Sequence, residues 1–469
     1  MKKYSKLVLV FHFLLFTLLC NAQYDVLLSF NGANGAYPGA RLTLSGNILY
    51  GMTSGGGANN VGVIFSIHID GSGYKELLDF DGTNGSYPIG SLLLSGNMLY
   101  GMTSGPNIGN DYGNIFSIDT NGNNYKNLLN FNIANGREPA GSLTLLGNVL
   151  YGMTYMGGAN GIGVIFSIDT SGGGYRDLLD FNGVNGGEPY GNLTLSEGKL
   201  YGMTCYGGVN GRGVVFSIDT DGGGYRDLFN FNGINGDEPF GSLTFSEGKL
   251  YGMTSGSGGS LADSVGNIFS IDTNGRNYKV LLDFNEEDGA EPFGTLIYSS
   301  GLLFGMTQYG GTYNDGVIFS IDTNGSGYAN LFDFHGIDGS LPGESLLLSG
   351  NVLYGMASDS GAHYNGVIFS LKDTNGRLGV SNLDGNKGSI IVYPNPNNGT
   401  FSLSLSNVNS ACNIEIYNIL GEKVFTETLP QNQSNNTISL ISQPSGVYFY
   451  RVIEESGNLV GNGKLVIEK

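Results

Sequence analysis

The chain has 469 residues, of which 40% are hydrophobic and 12% aromatic, so it can build substantial cores and general disorder is excluded. A formal net charge of −19 excludes nucleic acid and anionic membrane surfaces as natural partners. Of the three cysteines, Cys20 precedes the repeats, and the remaining two give no disulfide framework.

Residues 1–22 predict a secretory signal peptide. A basic start precedes a largely apolar run, Leu7 to Cys20, which is shorter than the ~20 residues that a membrane-spanning helix needs. The small residue Ala22 places the cleavage site before Gln23. A lipoprotein anchored through Cys20 is the alternative, and the bulky Leu19 disfavours it. We therefore expect an exported protein with no transmembrane segment after signal removal.

One motif recurs seven times in the region that follows. The tripeptide GMT occurs six times and GMA once, at intervals of 50 to 53 residues, beginning at Gly51, Gly101, Gly152, Gly202, Gly252, Gly305 and Gly355. A fixed period of this size is typical of a repeat architecture, in which neighbouring units bury their faces against one another.

Each unit contains four short runs of β character separated by turn signals. In the first unit these runs are RLTLSG, ILYGMT, GVIFSI and YKELLDF. The first run meets the second through SGN or SEGK, and the third meets the fourth through turns such as DTNGNNY at Asp119, which suit tight hairpins. We expect the aspartate to cap its turn rather than to bind calcium, because no bidentate glutamate follows at the required spacing. Each unit therefore predicts a four-stranded antiparallel meander.

Seven such units predict an all-β fold, a seven-bladed β-propeller spanning residues 24–372. Radial repetition covers both faces of every blade and leaves only short edges. A lone copy of the fourth run, Tyr24 to Phe30, comes first, and the last unit ends at Lys372 without one. We expect this N-terminal strand to complete the last blade. We also expect the GMT methionines to lie in the core, and the GMT glycines to allow tight packing near the ring axis.

The repeats are similar to those of a known group of proteins. LYGMTYMGGANGIGVIFSID, followed by YRDLLDFNGVNGGEP, resembles the tandem repeats of the GloVer group of secreted bacterial proteins. In that group a consensus close to LYGTT, a loop containing GG, and GxVF recur at about this period; here Met replaces the usual Thr. The resemblance covers roughly residues 24 to 372. It implies a propeller-like surface protein with no established catalytic residues.

Residues 373–389 form a polar linker, and residues 390–469 indicate a second β-rich domain. Alternating patterning predicts about seven short strands in a small Ig-like β-sandwich. YPNPNNG, IYNILGEKV, SGVYFYRV and the closing KLVIEK resemble, in this order, the type A C-terminal sorting domain of the type IX secretion system. The resemblance implies a Gram-negative bacterium, handling by the type IX secretion machinery, and delivery to the outer cell surface or release.

The loops from the second to the third run, and from the fourth run to the next unit, should emerge on one face of the ring. The first of these loop sets differs in every unit, and varied loops on a uniform scaffold are where binding residues are normally placed. Tyrosines in the loops offer stacking surface for an extracellular glycan or protein ligand; the alternative is that they fill gaps between loops. These tyrosines are Tyr155, Tyr206, Tyr309, Tyr313 and Tyr364.

Four loop glutamates each stand just before a proline on consecutive units. They are Glu138, Glu188, Glu238 and Glu291. Four aligned carboxylates would attract a cation such as Ca²⁺, whereas the alternative is simply a polar residue before a turn proline. No other cofactor is predicted. Catalytic residues are not assigned, because His68, His335 and His363 have no recognisable nucleophile partner.

Three functions remain open at this point. The favoured one is a secreted or cell-surface binding module that uses the varied loops. The second is an enzyme that acts on extracellular polysaccharide through two loop glutamates, for which the deciding carboxyl separation is invisible in the sequence. The third is a purely structural surface repeat.

Overall fold

The computed structural model describes residues 23–105, 112–256, 265–372, 389–393, 398–406, 412–418, 422–429, 435–454 and 459–467. The predicted signal peptide with Ala22, most of the predicted linker, and parts of two loops (106–111 and 257–264) lie outside the described residues. The chain divides into two compact units, Met1–Gly379 and Val380–Lys469. Among the described residues there is no α-helix, and hence none that is long and apolar enough to cross a membrane.

The first unit consists of seven four-stranded antiparallel sheets, as the repeat count predicts. The first strands are β2 (Thr43–Ser45), β6 (Leu93–Ser95), β10 (Thr144–Leu146), β14 (Thr194–Ser196), β18 (Thr244–Ser246), β22 (Ile297–Ser299) and β26 (Leu347–Ser349). The second strands are β3 (Ile48–Thr53), β7 (Met98–Thr103), β11 (Val149–Thr154), β15 (Lys199–Thr204), β19 (Lys249–Thr254), β23 (Leu302–Thr307) and β27 (Val352–Ala357).

The third strands are β4 (Val63–His68), β8 (Asn114–Asp119), β12 (Val164–Asp169), β16 (Val214–Asp219), β20 (Asn267–Asp272), β24 (Val317–Asp322) and β28 (Val367–Lys372). The fourth strands are β5 (Lys75–Asp79), β9 (Lys126–Asn130), β13 (Arg176–Asp180), β17 (Arg226–Asn230), β21 (Lys279–Asp283), β25 (Ala329–Asp333) and, for the seventh blade, β1 (Gln23–Ser29). One short 3₁₀ turn, η1 (Gly336–Asp338), follows β25.

The N-terminal strand completes the last blade. Strand β1 pairs antiparallel with β28, from Gln23 opposite Lys372 to Ser29 opposite Val367. This pairing confirms the prediction made from the unpartnered first run, and it holds the two ends of the ring together.

The core is divided among the spaces between blades. One cluster combines Leu49 and Phe65 of the first blade with Tyr354 and Ile368 of the seventh. Corresponding clusters join each of the other neighbouring pairs. The packing therefore passes from blade to blade around the propeller and returns to the first blade.

The GMT motif lies in the second strand and supports this packing. Its methionines are buried, as predicted, for example Met52 with 1% of its surface exposed. Gly51 pairs directly with Phe65 of the third strand, and a Cβ added at Gly51 would lie 2.5 Å from the Phe65 ring. The expected position of this glycine near the ring axis is wrong. The first strands occupy the axis, where a Cβ at Gly90 would lie 2.1 Å from the carbonyl oxygen of Gly141 in the next blade.

The aspartate of the DTNG turn caps that turn, as predicted. In the second blade, one carboxylate oxygen of Asp119 accepts hydrogen bonds from the backbone N–H groups of Asn121 and Asn123 at 3.0 and 2.9 Å. These bonds, with that from Asn123 as the main cause, lower the pKa of Asp119.

The second unit is a β-sandwich, as predicted. One sheet contains β29 (Ser389–Tyr393), β30 (Thr400–Ser406) and β33 (Asn435–Ser439); the other contains β31 (Cys412–Asn418), β32 (Lys423–Leu429), β34 (Gly446–Glu454) and β35 (Leu459–Ile467). One core cluster combines Phe401 and Leu403 of the first sheet with Ile414 and Val452 of the second. The compact units divide between Gly379 and Val380, inside the sequence predicted as a linker.

Candidate functional site

Two sets of loops form one face of the ring, which we call the loop face. One set joins second to third strands, and the other joins each fourth strand to the next first strand. Short bridges hold the two sets together, as where the N–H of Gly187 donates to the carbonyl of Tyr206 at 2.9 Å. Similar bridges join Ala36 to Gly55 and Ala290 to Tyr309. The loop face is therefore a hydrogen-bonded surface that the seven blades build together.

The residue before the loop proline has a left-handed backbone in every blade. Its φ lies between 50° and 56° at Tyr37, Tyr87, Glu138, Glu188, Glu238, Glu291 and Leu341. In the fourth blade, the N–H of Glu188 donates to the carbonyl of Ile162 at 2.8 Å, and its own carbonyl accepts from the N–H of Cys205. This backbone is unusual for residues other than glycine, but it is shared by Tyr, Glu and Leu, so it does not require a carboxylate. The backbone conformation therefore does not determine which side chain stands at this position.

The four predicted glutamates are separated by their own partners. Glu138 forms an ion pair with Arg137, and Glu188 accepts a hydrogen bond from the Tyr155 hydroxyl at 2.7 Å. Glu238 accepts a hydrogen bond from the Tyr206 hydroxyl, whereas the Glu291 side chain is exposed. Nowhere in the described part of the chain do three or more His, Cys, Asp or Glu side chains come together as metal ligands. Binding of Ca²⁺ therefore stays a prediction without a site.

The five predicted tyrosines divide into two groups. Tyr155 and Tyr309 are half-buried between loops, and the Tyr155 ring packs edge-on against Tyr190, with ring centroids 6.0 Å apart. Tyr206 is 37% exposed, Tyr313 58% and Tyr364 77%. Partial burial and the neighbouring Glu238 raise the pKa of Tyr206 to about 12, so its hydroxyl stays neutral. Only the three exposed rings are available for stacking.

A group of exposed hydrophobic side chains, Tyr206 among them, lies on the loops of the third to fifth blades. It contains Tyr206, Val184 (75% exposed), Val209 (82%) and Ile234 (71%), and we call it the Val209 patch. The N–H of Gly208 donates to the carbonyl of Gly183 at 2.8 Å, next to Val184. The N–H of Val209 donates to the Asn230 side chain at 2.8 Å, near the Ile234 loop. These bonds join the loops of the patch into one surface.

A second patch lies where the ring closes, on the loops of the sixth, seventh and first blades. It contains Tyr37, Tyr313, Ile337 and Tyr364, and we call it the seam patch. The Tyr313 ring lies 4.9 Å from the His335 ring, between centroids. The N–H of Gly361 donates to the carbonyl of Gly336 at 2.9 Å, and the N–H of Tyr37 donates to that of Asn365 at 3.1 Å. The ring contact and these two bonds therefore link the four loops that carry the patch.

Sequence reasoning identified the tyrosines but missed the aliphatic members of both patches. Val184, Ile234 and Ile337 occupy the tips of loops rich in Asn, Asp and Gly, where a turn gives a β-branched residue no packing role. A β-branched residue within such a polar loop was therefore the sequence signal that could have identified these exposed positions. Among the exposed large hydrophobic residues described in the ring, Ile133 also lies on the loop face, and only Val26 and Leu146 lie elsewhere.

Comparison with known proteins adds family information to this geometry. The profile of the Gloeobacter/Verrucomicrobia repeat matches residues 14–195 and 178–369. The profile of the secretion system C-terminal sorting domain matches residues 391–468. No curated protein matched the sequence.

Two solved structures illustrate the structural similarity. PorZ of Porphyromonas gingivalis, a surface component of its type IX secretion system, is 15% identical with a TM-score of 0.44; the match covers 94% of this chain and 61% of PorZ. This chain therefore spans about three fifths of the length of PorZ. A fungal alcohol oxidase of the AA5 family, solved with copper, is 10% identical with a TM-score of 0.51; the match covers 96% of this chain and 100% of the oxidase. At such identity the likeness concerns the fold alone.

Proposed function

We propose, for a chain that belongs to the Gloeobacter/Verrucomicrobia repeat family, a role as a binding module that contacts a protein ligand through its loop face. The chain carries the sorting domain of the type IX secretion system and is secreted to the cell surface. The binding module is thus placed where extracellular partners are available.

The observation that carries the proposal is the concentration of exposed hydrophobic side chains on one face. Both the Val209 patch and the seam patch lie on the loop face. Contiguous exposed apolar surface is costly in water and marks sites of interaction. Val184, Val209 and Ile234 have no ring for stacking on a sugar and no hydrogen-bonding group, so they favour a protein surface over a glycan.

No feature of the loop face specifically favours the alternative of a polysaccharide-acting enzyme. Glu188 and Glu238 are both engaged with tyrosine hydroxyls. Their contacts support a structural role in fixing Tyr155 and Tyr206. The proposal therefore rests on the hydrophobic patches and not on the carboxylates.

The experiment uses the purified full-length mature protein as bait on outer-surface proteins released from the producing bacterium. The double variant Val209→Ser, Ile234→Ser removes two of the four hydrophobic side chains of the Val209 patch without touching the core. Leu146→Ser, at 43% exposure on a hairpin away from the loop face, is the matched control. We expect one partner to be enriched by wild type and by the control, and at least tenfold less by the double variant. The purified partner should reproduce this ranking in a direct titration.

Two results would contradict the proposal. Equal capture by the double variant would remove the Val209 patch as the site. Binding of the same variants to a glycan array, with loss in the double variant but no protein partner, would replace the protein ligand by a carbohydrate.

A further inference from the structure

The centre of the ring contains an open cavity of about 430 Å³, distinct from the loop-face patches. Its walls come from the first strands and the residues just before them. They are mostly polar, with Thr144, Thr194, Thr244, Thr295, Asn192, Ser242 and Ser345 contributing hydroxyl or amide groups. A volume of this size lies within the range of small-molecule sites in proteins. The polar groups of the walls determine which class of ligand the cavity can bind.

An incomplete ring of hydrogen bonds runs around this cavity, with one bond at each of six of the seven blade junctions. In each bond, a backbone N–H donates to the side-chain oxygen of the equivalent residue in the next blade. The bonds join Arg41 to Ser91, Ser91 to Ser142, Ser142 to Asn192, Asn192 to Ser242, Ser242 to Thr295, and Thr295 to Ser345. Six of the seven equivalent positions thus hold a side chain that accepts a hydrogen bond.

Arg41 breaks this ring. A guanidinium has five N–H donors and no acceptor, so Arg41 cannot receive the N–H of Ser345, as the pattern at the other junctions would require. Among the described residues, neither the Ser345 N–H nor the Arg41 guanidinium has a hydrogen-bond partner. The blade junction that holds the N-terminal strand therefore presents a cation and a free backbone donor together.

The electrostatic surroundings leave the positive charge of Arg41 uncompensated. Arg41 lines the cavity and is exposed to water. No aspartate or glutamate is among the residues that line the cavity. Burial raises the pKa of Glu344, the carboxyl next to Ser345 in the chain, to about 8, so it is neutral near pH 7. In a chain with a net charge of −19, such a basic position is exceptional.

We propose that the central cavity binds a small molecule carrying an oxyanion, a carboxylate or a phosphate group, through the Arg41 guanidinium and the Ser345 N–H. The planar guanidinium matches either group with two parallel hydrogen bonds. The threonine, serine and asparagine side chains of the wall would bind the polar remainder of the ligand. This inference does not depend on the proposed function of the loop face.

The chain offers a conservative test, because the equivalent position holds serine in four other blades. Arg41→Ser removes the cation and supplies the missing acceptor for the Ser345 N–H, so the variant should fold. Arg276→Ser, at an exposed turn of the fifth blade, removes the same charge elsewhere and is the matched control. Full-length mature protein is titrated by calorimetry with inorganic phosphate, D-galacturonate and, as the uncharged counterpart, D-galactose.

We expect one molecule of phosphate or galacturonate per chain to bind wild type and Arg276→Ser, with at least tenfold weaker binding to Arg41→Ser and none of galactose. Preference between the two anions tells whether a phosphate or a sugar carboxylate is the better ligand. Absence of saturable binding of both anions to wild type, or equal binding to Arg41→Ser, would overturn the proposal. Equal binding of galactose would also overturn it, since the site would then recognise the sugar and not the charge.

Discussion

Glu344 is a single residue at which the sequence of one blade departs from the repeat, with a measurable consequence. Five of the other blades have glycine at this position, where consecutive backbones nearly touch: Gly90, Gly141, Gly191, Gly241 and Gly294. The glutamate at the seventh blade is partly buried, and this burial raises its pKa from 4.5 to about 8. The nearby Tyr190 has its pKa raised to about 12, chiefly by burial and then by the charge of Glu344. Both groups are therefore neutral at pH 7.

This shift predicts a pH-dependent stability. Between pH 4.5 and about 8 the folded chain keeps a proton on Glu344 that the unfolded chain has released, so the free energy of unfolding falls as pH rises through this window. Glu344→Gln removes the titrating group. We expect the variant to lose less stability than wild type between pH 5 and 8, by on the order of 2–4 kcal/mol. Urea unfolding followed by circular dichroism at several pH values measures this.

The control for this prediction is Glu291→Gln, at an exposed glutamate of the loop face. It should leave the pH dependence as in wild type. If the free energy of unfolding changed equally with pH in wild type and in Glu344→Gln, the prediction would be wrong, because Glu344 would then have the same pKa in the folded and unfolded chain.

The strand pair at the centre of each blade owes its geometry to a glycine opposite an aromatic ring. In the fourth blade, Gly202 of β15 pairs with Phe216 of β16, and Phe216 has no exposed surface. The same ring packs edge-on against Phe181 and is stacked with Tyr225, at centroid distances of 5.6 and 5.7 Å. The phenylalanine is thus held on several sides, and the glycine provides the space for its ring.

Filling that space should destabilise the blade. A Cβ at Gly202 would lie 2.5 Å from Cζ of Phe216, and a buried, packed ring has no room to move away. We expect Gly202→Ala to lower the free energy of unfolding by about 1–3 kcal/mol. The control Gly173→Ala lies in an exposed turn, where the nearest atom to the new Cβ is 3.8 Å away, and should change it by less than about 0.5 kcal/mol. Denaturant unfolding compares the two, and similar values would refute the steric argument.

Closure of the whole ring depends on strand β1, which pairs with β28 at the other end of the repeat region. The Tyr24 ring of β1 lies parallel to Phe332 of the sixth blade, with centroids 3.9 Å apart, and contacts Phe334 and Phe369. Its hydroxyl donates to the carbonyl of Asp338 at 2.6 Å. Equivalent tyrosines in other blades make the same type of bond, as Tyr175 does to Asn135 at 2.7 Å. Tyr24 thus fixes the N-terminal strand by the contacts used throughout the ring.

Removing this anchor should weaken the closed ring. We expect Tyr24→Ala to reduce the free energy of unfolding by about 2–4 kcal/mol, because it deletes a partly buried aromatic ring, with its packing contacts, and a partly buried hydrogen bond. Val26→Ala changes the same strand at a side chain that is 39% exposed, and should have an effect below about 1 kcal/mol. The chain has no tryptophan, so tyrosine fluorescence or circular dichroism reports unfolding. Equal effects of the two variants would mean that β1 does not hold the ring closed.

Much of this molecule was determined by the sequence alone. The period of 50 to 53 residues fixed the number of blades, Asn-Gly and Asp-Gly pairs fixed the hairpins, and the unpartnered run at Tyr24 fixed how the last blade is completed. These features are local or periodic, so each repeat confirms the others. The sorting motifs of the tail are similarly contiguous in the chain. The strand order of an antiparallel meander alone decides which loops lie together, and this is why the loop tyrosines could be assigned to one face before any contact was known.

Only the tertiary structure decided which residues meet across blades. The sequence shows four aligned glutamates but not their contacts, and the structure places Glu138, Glu188 and Glu238 each against a nearby partner. The GMT glycine does not lie near the axis because the first strands occupy it, and the pairing register instead sets the glycine opposite a phenylalanine of the third strand. The central cavity with Arg41 depends on residues about 50 positions apart converging on one axis. A repeat pattern specifies what the units share, whereas binding chemistry depends on where single units differ and on which neighbours the ring gives them.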